Sequence, residues 1–276
     1  MTDYLSYQFD DSEKFISTFD ELPLWSASFG LLLFKHLELQ PNLTVVDIGS
    51  GAGFPLMELA ERLGKSCKVY GVDPWKNANK RAKEKLENYN IQPVELIESS
   101  AAKMPFENNS IDLIVSNLGI NNFDQPQLVF QECKRILKPK GKLVLTTNLY
   151  GHWREFYQIF ETTLQQLGKP DALAALQKDE QHRGTVESVS SLFTENGFKV
   201  TKRFEEKFEM KFVDGSAFLN HHFIKLGWLT TWMGLFPKED LQEIFSALEK
   251  NLNTYANQSN GLTLTVPMAF VEGEKQ

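Results

Sequence analysis

The residues most able to do chemistry begin at Val45-Val46-Asp47-Ile48-Gly49-Ser50-Gly51-Ala52-Gly53. An apolar, β-branched run carries one acid and opens directly into a glycine-rich turn. Glycine lets the chain turn tightly and lets the backbone approach a ligand closely. Free N–H groups at the start of a following helix suit a polar or anionic group. A glycine-rich loop alone is a weak signal, but a second acid strengthens it. Asp73 closes Tyr70-Gly71-Val72-Asp73, 26 residues after Asp47. At the tip of a second buried strand, such a carboxylate can accept hydrogen bonds from both hydroxyls of a ribose. Taken alone, Asp73 reads equally well as a helix N-cap ahead of Pro74. Beside the loop, the ribose reading is the better one. A dinucleotide fingerprint would need its third glycine at position 54, which is Phe54; the glycine falls at Gly53 instead.

Other candidates are sparser. His221 and His222 are the candidates for a general base, and a solvated or packed pair is the competing reading. Asn121 and Asn122 follow a strand end where a substrate would sit, though asparagines are also ordinary turn residues. Trp25 and Phe29 could close over a ligand or simply pack in a core. Cys67 and Cys133 show no metal-like spacing and read as buried apolar residues, so no metal is expected.

These residues need a frame. Strands are expected at 43–48, 68–72, 94–97, 111–115 and 142–147, with helices at about 55–63, 76–88 and 126–137 between them. The alternation predicts a parallel sheet with right-handed crossovers and helices on both faces. Ahead of it, Ser26 can cap a helix running to about Leu37. Behind it come helices at about 153–167 and 186–196, a strand at 198–204, a mostly helical stretch and a closing strand from Leu262 to Val271. The expectation is one α/β domain, 1–276. It comprises an N-terminal helical segment 1–42, a binding core 43–147, the remainder of the core 148–212, a helical lid insertion 213–259 and a closing strand 260–276.

Composition sets outer bounds. Net charge is −7, with 29 basic and 36 acidic residues. That disfavours a nucleic-acid partner, which would want a basic face. Lys76, Lys80, Arg81, Lys83 and Lys85 are diluted by Glu84 and Glu87 and read as a solvated helix face. The most apolar long stretch, 217–236, contains Asn220, His221, His222 and Lys225, so no membrane insertion is expected. The N-terminus has no basic head or apolar region of a signal peptide, and the cytoplasm follows as the default.

The pattern Asp47, Gly49, Gly51, Gly53 resembles the first motif of class I S-adenosylmethionine-dependent methyltransferases, of the small-molecule, type 11-like kind. The likeness continues along the chain. Ala101-Ala102-Lys103-Met104-Pro105-Phe106 followed by Asn109-Ser110-Ile111-Asp112 is similar to the segment before that family's fourth strand. Arg135-Ile136-Leu137-Lys138-Pro139-Lys140-Gly141 is similar to the stretch before its fifth. The resemblance implies a Rossmann-like, mostly parallel seven-stranded sheet with an antiparallel final strand. It also implies S-adenosyl-L-methionine as cofactor. On that basis Asp47 and the backbone of Gly49, Ser50, Gly51 and Gly53 would hold the methionine part, Asp73 the ribose, and Pro74 one adenine face. Ser100 and Ala101 would face the adenine edge, and Asn117 would offer its carbonyl to the cofactor amine. Ser100 departs from the family, which commonly has an acid there.

The implied activity is methyl transfer to a small, apolar or aromatic acceptor, with Trp25 and Asn121 as candidate acceptor contacts. Asn117-Leu118-Gly119-Ile120 replaces the Asn-Pro-Pro-aromatic motif of nucleic-acid base methylases, so that class loses support. The apolar, aromatic-rich set Phe218, Phe223, Trp228, Trp232, Met233 and Phe236 fits a lid over an apolar acceptor, a core, or the contact of a homodimer. Two other functions stay open: a non-catalytic protein that binds S-adenosylmethionine, and a nicotinamide-dependent dehydrogenase on a related fold.

Overall fold

Strands buried on both faces need continuous apolar runs, and the computed structural model has them where the sequence is richest in valine, isoleucine and leucine. It describes residues 2–8, 12–20, 24–91, 94–180 and 183–276. The seven strands are β1 (Thr44–Ile48), β2 (Lys68–Asp73), β3 (Val94–Glu98), β4 (Ile111–Asn117), β5 (Leu137–Asn148), β6 (Phe198–Phe212) and β7 (Leu262–Lys275). They form one sheet in the order β3-β2-β1-β4-β5-β7-β6. β1 to β5 pair in parallel, and β7 runs antiparallel to β5, with Lys142 opposite Glu274 and Asn148 opposite Met268. The expected fold class therefore holds, the antiparallel final strand included.

The helices are α1 (Glu13–Asp20), α2 (Leu24–His36), α3 (Leu56–Leu63), α4 (Lys76–Tyr89), α5 (Pro126–Ile136), α6 (Arg154–Gln166), α7 (Pro170–Glu180), α8 (Val186–Glu195), α9 (Gly215–Asn220), α10 (His222–Ile224), α11 (Thr230–Gly234) and α12 (Leu241–Ser259). Two compact units emerge. The larger comprises Asp11–Asn148, Thr185–Glu206 and Met268–Gln276; the other comprises Met1–Asp10, Leu149–Gly184 and Lys207–Pro267.

In the larger unit, amphipathic helices cover the sheet. α3 buries Leu56, Met57, Leu59, Ala60 and Leu63, and α5 buries Val129, Phe130, Cys133 and Ile136. Two local readings need correcting. α2 starts at Leu24, so Ser26 lies inside the helix rather than capping it. The Pro139-Lys140-Gly141 turn lies within β5, which begins at Leu137. Pairing with β4 jumps from Ile111↔Leu137 to Leu113↔Lys142. Lys140, at φ +66°, absorbs the extra residues as a bulge.

In the smaller unit the core is aromatic. Phe156, Trp153, Phe218 and Trp232 are fully buried. The Phe156 and Trp232 centroids lie 4.5 Å apart, and the Trp232 indole N–H donates to the Tyr157 hydroxyl at 3.3 Å. Phe218, Phe223, Trp232 and Phe236, which the sequence left between lid, core and dimer contact, are buried in this core. α7 went unread in the sequence, although Pro170 at its first position and the run Asp-Ala-Leu-Ala-Ala-Leu announce it.

Candidate cofactor site

The C-terminal ends of β1, β2 and β4 carry three loops that meet: the first two bond to each other and the third packs against the glycine turn. After β1, the Gly49 N–H donates to the Val72 carbonyl at 2.8 Å, which binds the turn to β2. Gly49, Gly51 and Gly53 take φ of +73°, +51° and +105°, a region that suits residues without a Cβ. Gly51 N–H donates to Asp73 Oδ2 at 2.9 Å, and Trp75 N–H donates to Asp73 Oδ1 at 2.8 Å. The Asp73 carboxylate thus joins the β1 and β2 loops. It is not the N-cap of α4, a position held by Trp75 without a side-chain cap. Burial raises the Asp73 carboxyl above its ordinary value, and the two backbone donors offset part of that. Each oxygen keeps a lone pair beyond the one it has committed, so the group can still accept from a diol.

The third loop follows β4. Leu118 at φ +68° turns the chain, and Gly119 then packs against the glycine loop, its Cα 3.2 Å from where a Cβ on Gly49 would stand. A side chain on Gly119 would strike Ser116 Oγ at 2.3 Å and the Ile48 carbonyl at 3.0 Å. Around Gly51, by contrast, a Cβ would meet nothing within 4 Å, so its backbone is open to close approach.

Asp47 lies under this loop, wholly buried, and neither carboxyl oxygen has a hydrogen-bond partner. Desolvation first, and the nearby Asp73 second, push its carboxyl well above the usual range. The Leu56 N–H favours the charged form from nearby without making a well-formed bond. The Ser50 hydroxyl is buried and unpartnered too. Buried polar atoms are normally satisfied. Three orphaned oxygens beneath an open glycine backbone fit a site completed by a polar, partly cationic ligand.

The remaining candidates are less uniform. Asn117 is a strut: its amide donates to the Ser26 carbonyl at 3.0 Å, and its Oδ1 accepts from Thr146 at 2.7 Å. Trp25 is buried on α2, 5.1 Å from Phe29. Asn121 is engaged with Asn148 at 2.8 Å and Thr147 at 2.7 Å. Pro74 and Ser100 are exposed and Ala101 is buried. His221 and His222 belong to the smaller unit and are exposed. His221 stands edge-on to Phe212 at 5.5 Å, and burial, then His222 and Lys225, lower its pKa. Sequence reasoning missed Lys85. It was assigned to a solvated face, yet its ammonium donates to the Ala52 carbonyl in the glycine loop at 2.8 Å. Its place one turn short of the end of α4 is the only hint in the sequence.

A parallel sheet with a reversed final strand, a glycine turn after β1 and an acid at the tip of β2 together define the Rossmann-like methyltransferase fold. Residues 46–145 match the family model described as a methyltransferase domain. Over those residues the chain is similar to the class I S-adenosylmethionine-dependent methyltransferases; it binds S-adenosyl-L-methionine and is a methyl-transferring enzyme. It is 27% identical over 220 residues to a demethylmenaquinone methyltransferase of Oceanobacillus iheyensis, covering 76% of this chain and 88% of that one. It is 29% identical to one from Lactococcus lactis, covering 70% and 79%. Among solved structures, the YcgJ protein of Bacillus subtilis shares the fold at 17% identity with a TM-score of 0.59, covering 91% of this chain and 99% of that one. A putative methyltransferase of Bacillus halodurans shares it at 18% with a TM-score of 0.60, covering 90% and 99%. Among the described residues, no helix is long and apolar enough to cross a membrane.

Proposed function

We propose that the acceptor is a small, apolar ring of the quinol type, methylated at ring carbon. The observation that carries this reading is the similarity to demethylmenaquinone methyltransferases across most of both chains. When bound, S-adenosylmethionine supplies a methyl carbon on a positively charged sulfur, whose electron pair leaves with the thioether. The protein's own share is to hold, orient and exclude water. Asp73 would accept from the ribose hydroxyls. The Gly49–Gly53 backbone with Asp47 would receive the methionine part, and Asn117 would give its carbonyl to the amine. Pro74 would cover one adenine face, and the loop holding Ser100 and Ala101 would meet its edge. In an electron-rich quinol ring, the ring oxygen pushes density onto the attacking carbon, which then loses its proton. Such an acceptor can do without a strong protein base.

The net charge of −7 supports a small-molecule partner rather than nucleic acid. The free, buried thiols Cys67 and Cys133 fit a reducing compartment, which supports placement in the cytoplasm. The test is transfer of labelled methyl from the cofactor across a panel of acceptors. A reduced quinone with an unsubstituted ring position should be labelled at carbon, faster than phenols, amines or thiols. Preferential labelling of an amine or thiol, with the quinol inert, overturns the reading. Tight cofactor binding with no transfer to any class would favour a sensing role.

A further inference from the structure

The loop from Ser99 to Asn108 has little regular structure of its own, yet one side chain fixes it in place. Arg135, near the end of α5, spends all five of its N–H donors. Its Nη1 donates to the Phe106 carbonyl and to Asn108 Oδ1, each at 2.8 Å, and its Nη2 donates to the Met104 carbonyl at 3.1 Å. Its Nε and Nη2 also form a fork on Glu132, at 2.7 and 2.8 Å. Glu132 in turn accepts from the Met104 N–H at 2.6 Å. Both polar groups of the Met104 backbone, together with the Phe106 carbonyl, are therefore held by one ion pair on the neighbouring helix.

The other contacts are local. The Ser100 hydroxyl accepts from the Ala102 N–H at 3.2 Å, and the Ser99 hydroxyl donates to the Lys103 carbonyl at 2.7 Å. Phe106 stands edge-on to Tyr70 of β2 at 5.1 Å. Met104 is buried, while Ser100 and Lys103 are exposed. The loop is thus anchored at its C-terminal half and presents its N-terminal half.

We infer that Arg135, with Glu132, is a positioning residue for base recognition: it sets the shape of the 99–106 backbone that selects adenine. The inference rests on the reading that this loop meets the adenine edge. Its force comes from position 100. Ser100 presents only a neutral hydroxyl, which already accepts the Ala102 N–H and is a weaker partner for a base amine than a carboxylate would be. Selectivity for the base then falls to backbone groups, whose directions are only as well defined as the loop. Arg135 is about one-third exposed in its side chain, so its substitution spares the core.

The experiment uses calorimetry with S-adenosylhomocysteine and S-inosylhomocysteine, which differ only in the base. Arg135→Lys keeps the charge beside Glu132 but cannot hold all five contacts. It should weaken the adenine ligand about tenfold and the hypoxanthine ligand less than about threefold, so their ratio collapses. Glu132→Gln, milder, should move the ratio the same way and serves if the first variant folds poorly. At saturating cofactor, kcat should be unchanged while KM for the cofactor rises. Equal weakening of both ligands overturns the inference, because a merely structural role would do that. Backbone amide NMR of the wild type checks the underlying reading separately. The Ala101 and Ala102 amides should shift differently with the two ligands. Identical shifts would remove the loop from the base, and the inference with it.

Discussion

Replacing Asp47 with asparagine should make the free protein gain stability relative to wild type as pH rises, and hold its cofactor less well. The folded Asp47 carboxyl is raised well above the ordinary value, by burial first and by Asp73 second. In the unfolded chain it titrates near 4. Between those two values the unfolded state has lost its proton and the folded state has kept it. Stability of the wild type therefore falls with rising pH, by about 1.4 kcal/mol per unit while that window lasts. Below the unfolded value both states are protonated and the penalty vanishes. Asp47→Asn has no such proton. Its buried amide adds a cost of about 1–3 kcal/mol that does not depend on pH, so the slope is diagnostic and the offset is not. Inside the window the variant should gain steadily on the wild type as pH rises, in both ΔG and Tm. Urea unfolding at pH 4.5, 5.5 and 6.5 on both proteins measures this directly. Parallel curves would refute the reasoning, since they would mean that Asp47 is ionised in the fold as easily as out of it. The same preparations should show weaker S-adenosylhomocysteine binding for the variant.

Three further outcomes are expected. Asp73→Ala removes the acceptor of the Gly51 and Trp75 N–H groups and, on the proposed function, that of two ribose hydroxyls. Cofactor Kd measured by calorimetry should rise about a hundredfold, and a change under about threefold would detach the ribose from this carboxylate. Gly119→Ala drives a methyl into Ser116 Oγ and the Ile48 carbonyl, and should cost about 1–3 kcal/mol in thermal unfolding. Adding Ser116→Ala should recover part of that loss, and no recovery would point to backbone strain instead. Phe156→Ala opens a hole among Trp232, Phe218 and Phe160, at about 3–5 kcal/mol by chemical denaturation, and a cost below 1 kcal/mol would mean that this aromatic core is loosely packed.

What the sequence disclosed follows from how local each signal is. β1 and β4 are short apolar runs between turns, and helices α3 and α5 show one apolar face, so the sheet and its cover could be read directly. Glycines at 49, 51 and 53 and the acid at 73 were legible because a positive φ and a strand-tip carboxylate each constrain residue type. Lys85 and Arg135 were not, because their partners, Ala52 and the 104–108 segment, lie about thirty residues away. No periodicity connects such pairs. The start of β5 was misread because Pro139-Lys140-Gly141 is a sound turn signal locally, and only pairing with β4 turns it into a bulge. The same holds for Asp73, which has the sequence of an N-cap and the contacts of a bridge between loops.

The sheet order carries a consequence for how the chain is made. β7, the latest strand in sequence, lies between β5 and β6. Until residues 262–275 have left the ribosome, β5 has no neighbour on that side and β6 has no place to dock. Chains made only that far therefore expose an unpaired ladder of β5 backbone groups, and their safety depends on how quickly β7 slots home once made.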